Sequence, residues 1–250
     1  MTLGQHLVEL RKRLFKAAIG FVLGGVAGWF LADFVLDALR SPVQAIVESQ
    51  HRTAALNFAT ITGSFDLKLQ IAITVGAIIS SPVWLYQIFA FLVPGLTGKE
   101  KRYTFGFFFS AVPLFFAGCA AGWFVLPHIV GLLTGFAGRQ DSAYIDAQSY
   151  YDFVLKLVIV VGVAFVLPVF LVLLNFMGVL SAKSILKSWR VAMLVIVLFT
   201  AVTTPAADVI SMLLLAVPMV GLYFAAAGVA WLHDRRAAKN ALRMEADLAG

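Results

Sequence analysis

Two carboxylates stand where carboxylates are least expected. Glu9 lies in "HLVELRKRL" (6–14), ahead of Arg11, Lys12 and Arg13, and Glu100 lies in "GKEKR" (98–102), between Lys99 and Lys101. One reading is local charge balance. On a helix Glu9 and Arg13 are spaced i, i+4, a pair worth about 0.2–0.5 kcal/mol. Leu7, Leu10 and Leu14 would share one face, and Glu9, about 200° round the helix from Leu7, would point away from them toward water. The other reading is a binding site. Two carboxylates on one face, beside the aromatic run of "SPVWLYQIFAFLVPGLTGKEKR" (81–102), would suit a cationic ligand. A pair of guanidinium groups fits best, since each can bind a carboxylate through two parallel hydrogen bonds. The residues alone leave both readings open.

Other chemistry is poorly supported. The sequence lacks the phosphate-binding G-x-x-x-x-G-K-[ST] loop, the H-E-x-x-H zinc motif and the G-x-S-x-G nucleophile elbow. His6, His51, His128 and His233 are scattered and share no helix face, so neither haem nor metal ligation is expected. The single cysteine, Cys119, sits in an apolar block and reads as a small packing residue. These observations point away from an enzyme and from any cofactor. Gln87, Asn175, Thr200 and the pair Ser80–Ser81 are the deep polar groups, and each reads as a helix-packing hydrogen bond. A pump or proton-coupled carrier usually places carboxylates at mid-membrane. A secondary transporter of a small solute is therefore the second functional reading, not the first.

The elements that must hold these residues are membrane helices. Of the 250 residues, 61% are hydrophobic and 13% charged, with a mean hydropathy of +0.93. A soluble domain is about half apolar and about a quarter charged. A span needs about 20 apolar residues, and six candidates appear: 17–36, 71–91, 103–133, 157–180, 191–207 and 209–232. The third contains Pro113 and Pro127, and the fifth is short. Pro82 should kink the second. Trp84, Tyr86, Phe89 and Phe91 then run toward the membrane interface as anchoring aromatics, and Pro94–Gly95 ends the helix. Gly20, Gly24 and Gly28, like Gly118 and Gly122, recur at i+4 and predict close helix packing in lipid. The first apolar run is too long for a cleavable signal peptide.

The net charge of +6 reads as topology and not as nucleic-acid binding. With the N-terminus cytoplasmic, fourteen of the nineteen Lys and Arg residues fall on the cytoplasmic side, in 11–16, 99–102, 183–190 and 235–243. That asymmetry predicts an N-in, C-in, six-span protein. The expected organisation is a cytoplasmic amphipathic segment at 1–16, a single six-helix transmembrane domain at 17–233 and a cytoplasmic polar tail at 234–250.

Residues 6 to about 233 resemble the TatC family, the multi-spanning core of the twin-arginine protein translocase. The resemblance rests on "HLVELRKRL", on "SPVWLYQIFAFLVPGLTGKEKR", on "VGVAFVLPVFLVLLNFMGVLS" (161–181) and on "TTPAADVISMLLLAVPM" (203–219). It implies an all-α integral membrane protein, a cupped six-helix bundle with short fifth and sixth spans, in the bacterial cytoplasmic membrane. It implies a receptor for signal peptides bearing two consecutive arginines, which Glu9 and Glu100 would bind while Leu10, Gln87 and Phe91 line the site. TatA- and TatB-type single-span subunits are the implied partners, self-association is expected, and the proton-motive force drives export of folded proteins. Two positions depart from the family pattern. Val166 in "FVLP" stands where many members carry glutamate or glutamine, and Met212 where glutamine is common. With Thr204, they mark the region where partner helices would dock.

Overall fold

A computed structural model of the chain describes residues 3–50, 56–57, 62–92, 98–135, 145–204 and 209–249. Side chains of 3, 41–50, 56–57, 92, 98–105, 130, 132–135, 145–146, 241 and 248–249 lie outside the described set. The helices are α1 (Leu3–Gln50), α2 (Gly63–Ile79), α3 (Ser81–Leu92), α4 (Gly98–Gly135), α5 (Ala147–Phe176), α6 (Ala182–Lys187), α7 (Trp189–Thr203) and α8 (Val209–Ala249). Two two-residue strands, β1 (Leu56–Asn57) and β2 (Ile145–Asp146), pair in parallel, Leu56 with Ile145 and Asn57 with Asp146. This short ladder is a finding the all-helical expectation did not contain. It joins the two longest segments expected outside the membrane.

By length and hydropathy, α1, α4, α5 and α8 can each cross a membrane, and α2 with α3 forms one passage bent by 55°. The apolar α7 is the sixth passage. At 15 residues it rises only about 22 Å, short of the roughly 30 Å hydrocarbon core. α8 runs 41 residues, because the tail after Leu232 is built of good helix formers, mainly Ala, Arg, Leu and Lys. Nor does α1 break near residue 16. It continues from "HLVELRKRL" through the first apolar run.

The chain divides into two compact units, residues 1–163 and 164–250, with the boundary inside α5. In the first unit α1 packs on α2, α3 and α4. The glycine ladder makes this possible. A Cβ on Gly24 would stand 2.5 Å from the carbonyl oxygen of Gly76, and one on Gly20 would stand 2.7 Å from Val83 Cγ1. At Gly28 it would meet the Ala72 carbonyl closer still. The predicted helix packing is therefore what these residues do. Lys68 Nζ bonds Asp33 Oδ2 at 2.8 Å and lies over the Trp29 ring, which ties α2 to α1 at the far end. Cys119 is buried and lies beside Gly162.

The bend between α2 and α3 falls at Ser80, two residues before Pro82. Pro82 has no N–H and its ring clashes one turn back, so the ladder opens there. At the bend the Ala77 carbonyl accepts from Trp84 Nε1 at 2.8 Å and Ser80 Oγ at 3.3 Å. Trp84 also meets Phe115 edge-on at 5.4 Å, and Phe89 is fully buried. Neither is the interface anchor the sequence suggested. Trp84 braces the bend, because an indole N–H inside the bundle needs an acceptor.

The second unit holds the end of α5 together with α6, α7 and α8. α5 closes on Gly178, at φ +73°, with Val179 N–H donating to Leu174 O. Glycine reaches that left-handed conformation without steric cost. Asp234 of α8 then ties the turn. Its Oδ2 accepts from Ala182 N–H at 2.8 Å and its Oδ1 from Asn175 Nδ2 at 2.9 Å. Asn175 Nδ2 also donates to Leu180 O, and Thr200 Oγ1 donates to Ile196 O within α7. Asn175 thus makes the helix-packing hydrogen bond expected of it, to α8, whereas the Thr200 hydroxyl bonds within its own helix.

Candidate functional site

The site is built where the first turns of α1 meet the last turn of α3. The two helices run antiparallel, with Gly20 beside Val83 and the rings of His6 and Phe91 stacked at 4.6 Å and 29°. His6 and Glu9 are one turn apart on α1, and Phe91 and Gln87 one turn apart on α3, so the stack brings the faces carrying Glu9 and Gln87 together. Gln87 and Phe91 are half-buried.

Glu9 does not face water as the periodicity suggested. Leu7 and Leu14 are 64% and 66% exposed and Leu10 40%, whereas the Glu9 side chain keeps 23%. The leucine stripe is thus the more exposed face and the carboxylate the more buried one, the reverse of a soluble amphipathic helix. Arg13 donates to a single oxygen of Glu9, through Nε at 3.0 Å and Nη2 at 2.6 Å to Oε1. Oε2 is buried and has no hydrogen-bond partner among the described residues. A buried carboxylate oxygen left unsatisfied costs about 1–3 kcal/mol or more, so Glu9 is held in place by one guanidinium and keeps one oxygen unpaired. Arg11, Lys12 and Lys16 around it are exposed.

Glu100 lies in the first turn of α4, and its side chain is outside the described residues. α4 packs on both α1 and α3. The three positions marked for partner contact lie in the second unit. Val166 is buried within α5 at 2% exposure, and Thr204, the C-cap of α7, donates its hydroxyl to Thr200 O at 2.9 Å. Met212 is half-buried in the first turn of α8.

Sequence reasoning assigned no role to His6, although its spacing to Glu9 would have placed both on one face. It also put Asp234 in the polar tail, where the structure makes it a tether. Burial works against ionising Asp234, but the hydrogen bonds from Ala182 and Asn175, and His233 at 3.5 Å, outweigh it and hold the carboxyl below its ordinary value.

Residues 5–218 match the family described as "Sec-independent protein translocase protein (TatC)". The chain belongs to the TatC family. A TatC protein of Xylanimonas cellulosilytica is 44% identical over 237 residues, covering 95% of this chain and 86% of that protein. One from Rothia mucilaginosa is 39% identical over 237 residues, with 94% and 81% covered. The chloroplastic TatC protein of Arabidopsis thaliana is 32% identical over 235 residues, covering 93% of this chain and 66% of that one. The fold agrees with a crystal structure of the twin arginine translocase receptor TatC in DDM, with a TM-score of 0.75 at 31% identity over 90% of this chain and 99% of that chain. The chain is therefore a multi-pass, all-helical membrane protein whose six helical passages fit the TatC topology.

Proposed function

We propose that this chain is the signal-peptide receptor and core of a twin-arginine translocase, with its receptor site at the α1–α3 junction. The observation that carries the site is the Glu9 carboxylate, fixed through Oε1 by Arg13 while its buried Oε2 lacks a partner. A guanidinium entering there gains a charge-assisted hydrogen bond and relieves an unsatisfied buried atom. The ring pair His6–Phe91 offers an apolar flank for the peptide, together with Leu10 and Gln87. Glu100, from the first turn of α4, takes the second arginine. The family relationship supports export as the purpose: relatives are named Sec-independent protein translocase proteins, and the solved neighbour is named a receptor.

In this reading the chain binds and assembles and performs no covalent catalysis. It sits in the bacterial cytoplasmic membrane with both termini inside and works with TatA- and TatB-type single-span subunits. The proton-motive force drives passage. Met212, half-buried at the start of α8, serves partner contact, while the buried Thr204 and Val166 shape that region from within the chain. Val166 offers no proton and no hydrogen bond, so partner selection at that depth rests on packing. A solute transporter is not favoured by the family relationship.

The experiment is peptide binding to the purified protein in detergent. An Arg-Arg signal peptide is compared with a Lys-Lys version on the wild type and on Glu9→Ala/Glu100→Ala. Tight Arg-Arg binding, weaker Lys-Lys binding and loss of both in the variant are expected. Equal binding of the two peptides, unaffected by the variant, would falsify the site.

A further inference from the structure

A cavity of about 480 Å³ opens in the second unit between the C-terminal half of α5 and α7. Leu167, Phe170, Val195 and Phe199 form its walls, and Ser184 and Ser188 form one polar end. Its size lies within the roughly 300–1,000 Å³ of small-ligand sites. From Ser188 to Phe199 it follows α7 for about 16 Å. It is thus a long apolar slot with hydroxyls at one end only.

That end is the basic one. Lys183, Lys187 and Arg190 are exposed on α6 and on the first turn of α7. Hydrogen bonds from Ser188 N to Ser184 O and from Ala192 N to Ser188 O carry the helical rise through the junction. Lys187 therefore stands one turn from Ser184 and one from Val191, and both line the cavity. No Asp or Glu occurs between residues 176 and 207, and among the described residues none of the three cations has an ion-pair partner. The carboxylate nearest in the fold, Asp234, is occupied by Ala182 and Asn175. Arg190 rests over the Trp189 ring at 5.6 Å, an aromatic of the kind found at lipid headgroup level.

We propose that this slot is a binding site for an anionic phospholipid. One acyl chain lies between α5 and α7, and the headgroup phosphate is held by Lys187 and the hydroxyls of Ser184 and Ser188. Charge selects this occupant. Basic pockets between membrane helices recognise anionic headgroups, whereas a zwitterionic lipid or an apolar partner helix would leave the cations uncompensated. The site is separate from the α1–α3 junction and does not depend on the receptor reading.

The test is native mass spectrometry of the full chain in neutral detergent, titrated with phosphatidylglycerol or phosphatidylcholine. Phosphatidylglycerol should bind more tightly, by roughly fivefold for one engaged cation. Lys187→Gln, at an exposed position, should bring it down to the phosphatidylcholine level. Ala192→Phe and, independently, Ser184→Phe should weaken both lipids by filling the slot, and inorganic phosphate should not displace the bound lipid. Equal affinity for the two lipids overturns the proposal. So does a preference that survives Lys187→Gln, or phosphatidylglycerol binding undiminished in both slot-filling variants.

Discussion

At the level of single residues, the proposed peptide site turns on one oxygen atom. Glu9→Ala should weaken binding of an Arg-Arg peptide by about 1–3 kcal/mol, read by isothermal titration. His6→Ala should cost less, about 0.5–1.5 kcal/mol, the worth of an aromatic pair. A His6→Ala loss larger than the Glu9→Ala loss would move the centre of the site from the carboxylate to the ring stack. Asp234 makes a different kind of prediction. Its carboxyl is held below the ordinary value of 3.8, so the folded state favours the ionised form. That stabilisation is present above the unfolded value and disappears as pH falls through the folded one. Melting in detergent from pH 7 downward should therefore show wild type losing stability on the acid side. Asp234→Asn should start lower and lose less over the same range.

Among the elements, the contact of α1 with α2 depends on glycines that look alike in sequence and differ in the fold. A Cβ on Gly24 would press 2.5 Å from Gly76 O, while one on Gly25 would meet nothing within 4 Å. Gly24→Ala should therefore destabilise by about 1–3 kcal/mol through overpacking. Gly25→Ala should be neutral or stabilising, by up to about 1 kcal/mol of helix propensity. Melting temperatures of the two variants decide this, and equal effects would remove the close approach as the cause. At the bend, Trp84→Phe deletes the bond to Ala77 O and keeps most of the ring. A loss of about 0.5–1.5 kcal/mol is expected.

For the molecule as a whole, the question is which way it lies in the membrane. Basic residues cluster at one set of helix ends, and an N-in, C-in arrangement follows from them. Asp141→Cys should then react with an impermeant maleimide on intact cells. Ala237→Cys, beside Arg235 and Arg236, should react only after the membrane is opened. Labelling of position 237 from outside would reverse the topology and place Glu9 on the wrong side for a cytoplasmic peptide.

Much of this was readable along the chain. Hydropathy placed six passages, because a lipid solvent demands apolar runs of a set length whatever packs beside them. The i+4 glycines announced close helix contact, since only a missing side chain permits it. Local motifs in "HLVELRKRL" and "GLTGKEKR" were enough to point at Glu9 and Glu100. What periodicity could not supply was facing. Glu9 reads as water-exposed on a lone helix and is turned inward here, because the His6–Phe91 stack on α3 draws that face of α1 against the protein and leaves the leucine face exposed. Trp84 reads as an interface anchor and instead donates to the Ala77 carbonyl at the bend, because Pro82 opens the helical ladder and the bend turns the indole back toward Ala77. Asp234 reads as a tail charge and instead joins the turn at Asn175 and Ala182, 59 and 52 residues away in sequence. Such contacts between distant segments carry no local pattern, and only the packed helices bring them into existence.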